Sequence, residues 1–68
     1  MRVTLNGSET ELADGATVTA AVEALDLPAN GRGVAVAVDA EVVPRTQWDT
    51  HELNEGARIE VLRAIQGG

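Results

Sequence analysis

The sequence closes on Leu62-Arg63-Ala64-Ile65-Gln66-Gly67-Gly68. The group with chemistry to offer here is the backbone carboxylate of Gly68. Glycine has no Cβ, so its backbone enters narrow channels and takes conformations closed to other residues. Two glycines in series make a thin probe that ends in a carboxylate. A carboxylate is a poor electrophile, but when its oxygen attacks the α-phosphate of ATP it becomes an acyl-adenylate with a good leaving group. A sulfur nucleophile can then displace the adenylate, leaving a thiocarboxylate on Gly68 that a second enzyme uses as its nucleophile. This chemistry asks only for a free, extended tail. The chain contains no Cys, so no internal thiol competes for the activated terminus. A frayed end that happens to hold two glycines is the alternative reading of the same residues.

No side-chain constellation elsewhere competes. His51 is the single histidine, with no Ser, Cys or paired carboxylate beside it to form a recognisable catalytic set. Asp49, Glu52 and Glu55 do not have the spacing of a compact oxygen-ligand loop, and read as a solvated loop. Gly31 and Gly33 are too few and too isolated for a phosphate-binding loop. Trp48, the one aromatic residue, either packs at the core edge or meets a partner. With neither Cys nor a second His, a disulfide framework and a zinc cluster are both excluded. The expectation is a protein co-substrate, not an enzyme.

The formal charge of −6 argues against nucleic-acid binding, which needs clustered bases. All five bases are Arg (Arg2, Arg32, Arg45, Arg58 and Arg63) and Lys is absent, so no lysine side chain can be modified. No apolar run approaches the roughly 20 residues that cross a bilayer. The N-terminus lacks the basic flank and apolar stretch of a signal peptide. A cytoplasmic protein, away from membranes and monomeric when free, is expected.

The elements that must present the tail follow from the patterning. Sixty-eight residues make one domain, with a core of Val, Leu, Ile and Ala. Arg2–Asn6 alternates, with Val3 and Leu5 on one face. Asn6-Gly7 tolerates the positive φ of a tight hairpin turn, and Ser8–Leu12 alternates again, with Glu9 and Glu11 outward. Thr17 has the residue type of a helix N-cap. Val18, Ala21, Val22 and Leu25 then share a helical face, and Pro28 ends the helix. Asn30–Gly33 reads as a flexible loop. Gly33–Asp39 reads as a central strand covered on both faces. Glu41–Val43 is a short edge strand stopped by Pro44. A loop or short helical turn runs to Glu55-Gly56, and Arg58–Ala64 is the last strand. The order β-β-α-β-β-β, with first and last strands side by side, predicts an α+β, ubiquitin-like β-grasp fold: a mixed sheet of about five strands and one main helix. Residues 1–64 form the domain and 65–68 a flexible C-terminal tail.

In the last strand Ile59 and Val61 keep the core phase, whereas Leu62 is apolar where the alternation asks for a polar residue. Leu62, and Ala64 with it, should therefore lie on the open face of the sheet beside Ala35 or Ala37 as a docking patch. A bulge that flips the phase is the alternative.

The whole chain resembles the ThiS family of sulfur carriers of thiamine biosynthesis. The resemblance rests on Arg2–Gly7, on Val34–Asp39, on Val42-Val43-Pro44-Arg45-Thr46-Gln47-Trp48 and on Glu55–Gly68. The Val-Pro-Arg-x-x-Trp run is the most discriminating, being foreign to the related molybdopterin synthase small subunits, while the glycine pair is shared by all. Glu55-Gly56-Ala57 departs from the family's usual Asp-Gly-Asp, in a turn remote from the chemistry. The resemblance implies that Gly68 holds the adenylate and then the thiocarboxylate. Gly67, Gln66 and Ile65 would enter the partner's active site, with Leu62 docking the globular part. It implies an ATP-dependent activating enzyme of the ThiF type, thiazole synthase as acceptor, and a sulfurtransferase or cysteine desulfurase as sulfur source. No cofactor is held permanently. The competing readings are another thiocarboxylate carrier, such as a molybdopterin synthase small subunit, a ubiquitin-like modifier joined through Gly68, and a plain β-grasp binding module.

Overall fold

The computed structural model describes residues 1–27 and 32–63. The elements follow one another as β1 (Arg2–Leu5), β2 (Ser8–Glu11), α1 (Val18–Ala24), β3 (Val34–Val38), β4 (Glu41–Val43), a 3-10 turn (Arg45–Gln47) and β5 (Arg58–Arg63). The strands form one mixed sheet in the order β2-β1-β5-β3-β4. β1 and β5 run parallel, with Leu5 beside Ile59, and the other neighbours are antiparallel. The expected mixed sheet with first and last strands adjacent is thus what forms. No helix among the described residues is long and apolar enough to cross a membrane.

Both hairpins close on two residues with positive φ, the geometry whose twist matches paired strands. In the first these are Asn6 (φ 50°) and Gly7 (φ 84°), as the sequence predicts. In the second they are Asp39 (φ 50°) and Ala40 (φ 70°), residue types that give a weaker turn signal.

The core lies between one face of the sheet and α1. Val3, Leu5, Val36, Val43, Ile59 and Val61 point inward from the strands, and Val18, Ala21 and Val22 meet them from the helix. Ile59, on the central strand, is fully buried. Burying a side chain of this kind stabilises the fold by about 1.5–3 kcal/mol.

Three expectations are corrected. β3 is an interior strand, paired with β5 on one side and β4 on the other, but it is not covered on both faces: Ala35 is exposed, because a single seven-residue helix covers only one face of five strands. Thr17 occupies the N-cap position, but its side chain makes no capping hydrogen bond. The first helical N–H groups are taken instead by the loop after β4: Val18 donates to the His51 carbonyl at 3.0 Å and Thr19 to the Trp48 carbonyl at 3.3 Å. The helix also stops before Pro28, which lies outside the described residues. Asp26 turns the chain with φ 59°, and its N–H and that of Leu27 bond back to Glu23 and Val22, a Schellman ending.

Candidate functional site

In the last strand Leu62 takes the exposed position expected from its sequence. β5 pairs with β3 without a break from Val38–Ile59 to Val34–Arg63, so no bulge flips its phase. Ile59 and Val61 are buried, and Leu62 is 70% exposed on the opposite face. Its cross-strand neighbour is Ala35. One strand further out, Ala37 lies opposite Val42, which is 76% exposed. Leu62 and Val42 are the two large apolar side chains the described residues leave exposed.

Together these residues form a trough. Ala35 and Ala37 are short, so β3 makes its floor. Leu62 on β5 and Val42 on β4 rise as its walls, and Ala40 and Glu60 help to line a shallow hollow of about 300 Å³. An apolar recess of this kind is a candidate contact surface. Across β5 the open face changes character, where Arg2 lies within 3.9 Å of both Glu9 and Glu11. The face is therefore half apolar and half charged.

Val42 was not singled out in the sequence, although a clue was present. Val42 and Val43 are adjacent on a short strand, so one of them must face away from the core. Asn6 was read only as a turn residue, yet its carboxamide accepts from the Val61 N–H at 2.8 Å and donates to the Val61 carbonyl at 3.2 Å. This pairing holds β5 next to Leu62.

Trp48, His51, Asp49 and Glu55 make bonds that serve the fold. Trp48 is buried and donates its indole N–H to the Val43 carbonyl at 2.9 Å, so the Val-Pro-Arg-x-x-Trp run closes a corner of the fold on itself. Arg45 opens the 3-10 turn within it and is exposed. His51 supplies its backbone carbonyl to the helix. Asp49 accepts from the Thr19 hydroxyl, and Glu55 accepts from the Arg2 N–H at 3.0 Å. At the sheet edge, the Met1 ammonium contacts Glu11 at 2.9 Å and Asp14 at 3.2 Å. The bonds to Glu11 and Asp14 raise the pKa of the ammonium, and the ammonium lowers that of Glu11.

Ala64, Ile65, Gln66, Gly67 and Gly68 lie outside the described residues. The position from which they start is described: Arg63, the end of β5, one residue past Leu62. Gly68 is five positions further along the sequence, so at ~3.4 Å per residue it lies within roughly 17 Å of Arg63.

Comparison with known proteins agrees with this layout. The family model described as the ThiS family matches residues 3–68. The sulfur carrier protein ThiS of Escherichia coli (strain K12) is 34% identical over 68 residues, covering 100% of both chains. The crystal structure of the thiamine biosynthesis protein (ThiS) from Geobacter metallireducens superposes with a TM-score of 0.79 at 30% identity, covering 100% of both chains. The solution structure of a thiamine biosynthesis protein from the same organism gives 0.78 at 28% identity, covering 100% of this chain and 88% of that one.

Proposed function

The chain belongs to the ThiS family, and from that premise we propose that this sulfur carrier of thiamine biosynthesis, which is not itself an enzyme, works through the carboxylate of Gly68. An adenylating enzyme of the ThiF type takes the tail into its active site. An oxygen of the Gly68 carboxylate attacks the α-phosphate of ATP, pyrophosphate leaves, and the acyl-adenylate forms. The terminal sulfur of a persulfide on a sulfurtransferase or cysteine desulfurase attacks the acyl carbon and displaces AMP; a thiol of the partner then cleaves the S–S bond, which frees the thiocarboxylate and leaves the disulfide on the partner. The resulting thiocarboxylate carries its sulfur to thiazole synthase, and the carboxylate is regenerated for another round. Gly67, Gln66 and Ile65 thread the partner's channel, where the missing Cβ of Gly67 keeps the probe thin. ATP is the partner's substrate, and the carrier keeps no cofactor of its own. The cytoplasm is the compartment this reading calls for.

The observation that carries this reading is the placement of Leu62. The exposed wall of the trough stands one residue before the end of β5, and Gly68 is tethered within roughly 17 Å of that end. A protein that takes the terminus into its active site is therefore within reach of Leu62.

The test is intact mass. The protein is incubated with ATP, the adenylating enzyme and a sulfur source, and the expected product has one oxygen of Gly68 replaced by sulfur. Deletion of Gly68 should abolish that product while circular dichroism stays unchanged. A deletion variant that still supports thiazole formation overturns the assignment.

A further inference from the structure

Where β1 ends, the parallel ladder to β5 should end too. Its backbone rungs reach Leu5–Ile59, and the Asn6 N–H adds a bond to the Ile59 carbonyl at 2.9 Å. Beyond that point β1 has turned into its hairpin, because Asn6 and Gly7 both take positive φ. The next unpaired edge of β5 is at Val61, whose N–H and carbonyl face the side β1 has vacated. The Asn6 carboxamide fills that place. Its oxygen accepts from the Val61 N–H at 2.8 Å, and its nitrogen donates to the Val61 carbonyl at 3.2 Å. A side chain thus stands in for the missing backbone rung, with both of its polar ends used.

We propose that Asn6 is a positioning residue for the carrier's reaction: its pairing with Val61 fixes the direction in which β5 delivers the tail past the docked Leu62 face. Several features of the clamp support this role. It acts on the last buried residue of β5, since Leu62 and Arg63, which follow, are both exposed. Without it, the end of β5 is held by β3 alone, through Ala35–Leu62 and Val34–Arg63, and is free to swing away from β1 about that one hinge. A change in direction at Val61 moves Arg63, the point from which the chain continues to Gly68. Group transfer at a tethered terminus is sensitive to such an error, because a misplacement of about 1 Å can cost ~10²-fold in rate. Asn also suits the turn, being among the few non-glycine residues at ease with positive φ. One residue therefore shapes the hairpin and aims the last strand.

The inference rests on the Gly68 reading, and the experiment separates the two. Asn6→Gly keeps the positive φ of the turn and removes the carboxamide. Its effect is read as carrier-dependent ATP–pyrophosphate exchange by the adenylating enzyme, at a temperature where the variant is folded. The KM for the carrier is expected to stay within about twofold, because the trough is intact, while kcat falls about tenfold or more. Amide exchange at Val61 should accelerate with exchange in α1 unchanged. Asn6→Asp keeps the acceptor for the Val61 N–H and should retain more of kcat than Asn6→Gly, and the reverse order overturns the assignment. Val22→Ala, which weakens the fold through the helix, serves as the control. An Asn6→Gly kcat within twofold of wild type, an effect on KM in place of kcat, or an equal kcat loss in Val22→Ala also overturns it. A wild-type protein that the adenylating enzyme never turns over removes the Gly68 reading, and this assignment with it. Normal turnover by both wild type and Asn6→Gly removes this assignment alone.

Discussion

Leu62 stands directly across from Ala35 on the open face of the sheet, and the short Ala35 side chain leaves Leu62 70% exposed. Its apolar surface contributes little to folding. Leu62→Ala should therefore change stability by less than about 0.5 kcal/mol. The same change should raise the carrier's KM in adenylation about tenfold, since ~1.4 kcal/mol of lost docking energy corresponds to that factor. Leu62→Asp should be worse in the assay and similar in a denaturant melt. A large stability loss in Leu62→Ala with unchanged KM would place Leu62 in the fold and not in the interface.

Trp48 makes the opposite prediction. Its ring is buried and its indole N–H is satisfied by the Val43 carbonyl. Trp48→Phe keeps an aromatic ring but leaves that carbonyl without its partner, which should cost about 1–3 kcal/mol. Trp48→Ala should cost about 3–5 kcal/mol. Neither should alter the KM for the carrier under conditions where the protein is folded, as titration of the adenylation assay can show.

At the start of α1, sequence and structure part company. A Thr→Ala change at a working N-cap typically costs about 1 kcal/mol. Here the Thr17 side chain makes no capping hydrogen bond, and the loop carbonyls of Trp48 and His51 serve the helix instead. Thr17→Ala should therefore be nearly neutral in a denaturant melt. Thr19→Val, which removes the hydroxyl bonded to Asp49, should be the more costly of the two.

These contrasts show what was legible in the chain. Local alternation located the strands, and the phase of Ile59, Val61 and Leu62 foretold the exposed leucine, because side-chain direction in a strand follows from period two. What local pattern cannot report is who supplies a missing hydrogen bond from a distant segment. The helix N-terminus is capped by residues about thirty positions later, and Val61 is paired by the Asn6 side chain 55 positions earlier. Val42 escaped notice for a related reason. On a three-residue strand alternation is too short to read, and its exposure depends on the open face being left uncovered. Trp48 was left between fold and partner because residue type does not say which side of the sheet a loop packs against.

The sheet edge should respond to pH from both directions. The Met1 ammonium has a raised pKa through its bonds to Glu11 and Asp14, so its contribution is complete below the unfolded value of about 8 and is lost as pH rises through the folded value. Glu11 has a lowered pKa. Its contribution is present above the unfolded value of about 4.3 and is lost as pH falls through the folded value. Thermal midpoints should therefore be highest in a plateau between these limits and fall slightly on either side. Glu11→Gln should flatten both flanks, and an unchanged profile in that variant would exclude the Met1–Glu11 pair as the cause.

The two hairpin turns of the sheet set up a further prediction. Both need positive φ at two consecutive residues. The first meets the need with Asn6 and Gly7, the second with Asp39 and Ala40, the latter at φ 70°. An alanine held in the left-handed region brings its Cβ close to the following carbonyl oxygen, a strain of about 1–2 kcal/mol that glycine does not carry. Against this, glycine loses more conformational entropy on folding, by roughly 0.5–1 kcal/mol. The balance favours Ala40→Gly by up to about 1.5 kcal/mol, readable as a higher denaturant midpoint with an unchanged slope. The Asp39 contribution should persist, because its carboxylate accepts from the Arg58 N–H at 2.9 Å whatever follows it in the turn. Since Ala40 also lines the trough beside Val42, the same substitution removes a methyl from the proposed docking surface. A stabilised Ala40→Gly carrier with a modestly raised KM would show the two roles of that one methyl pulling against each other. A destabilised variant would mean that the turn relaxes the strain in some other way.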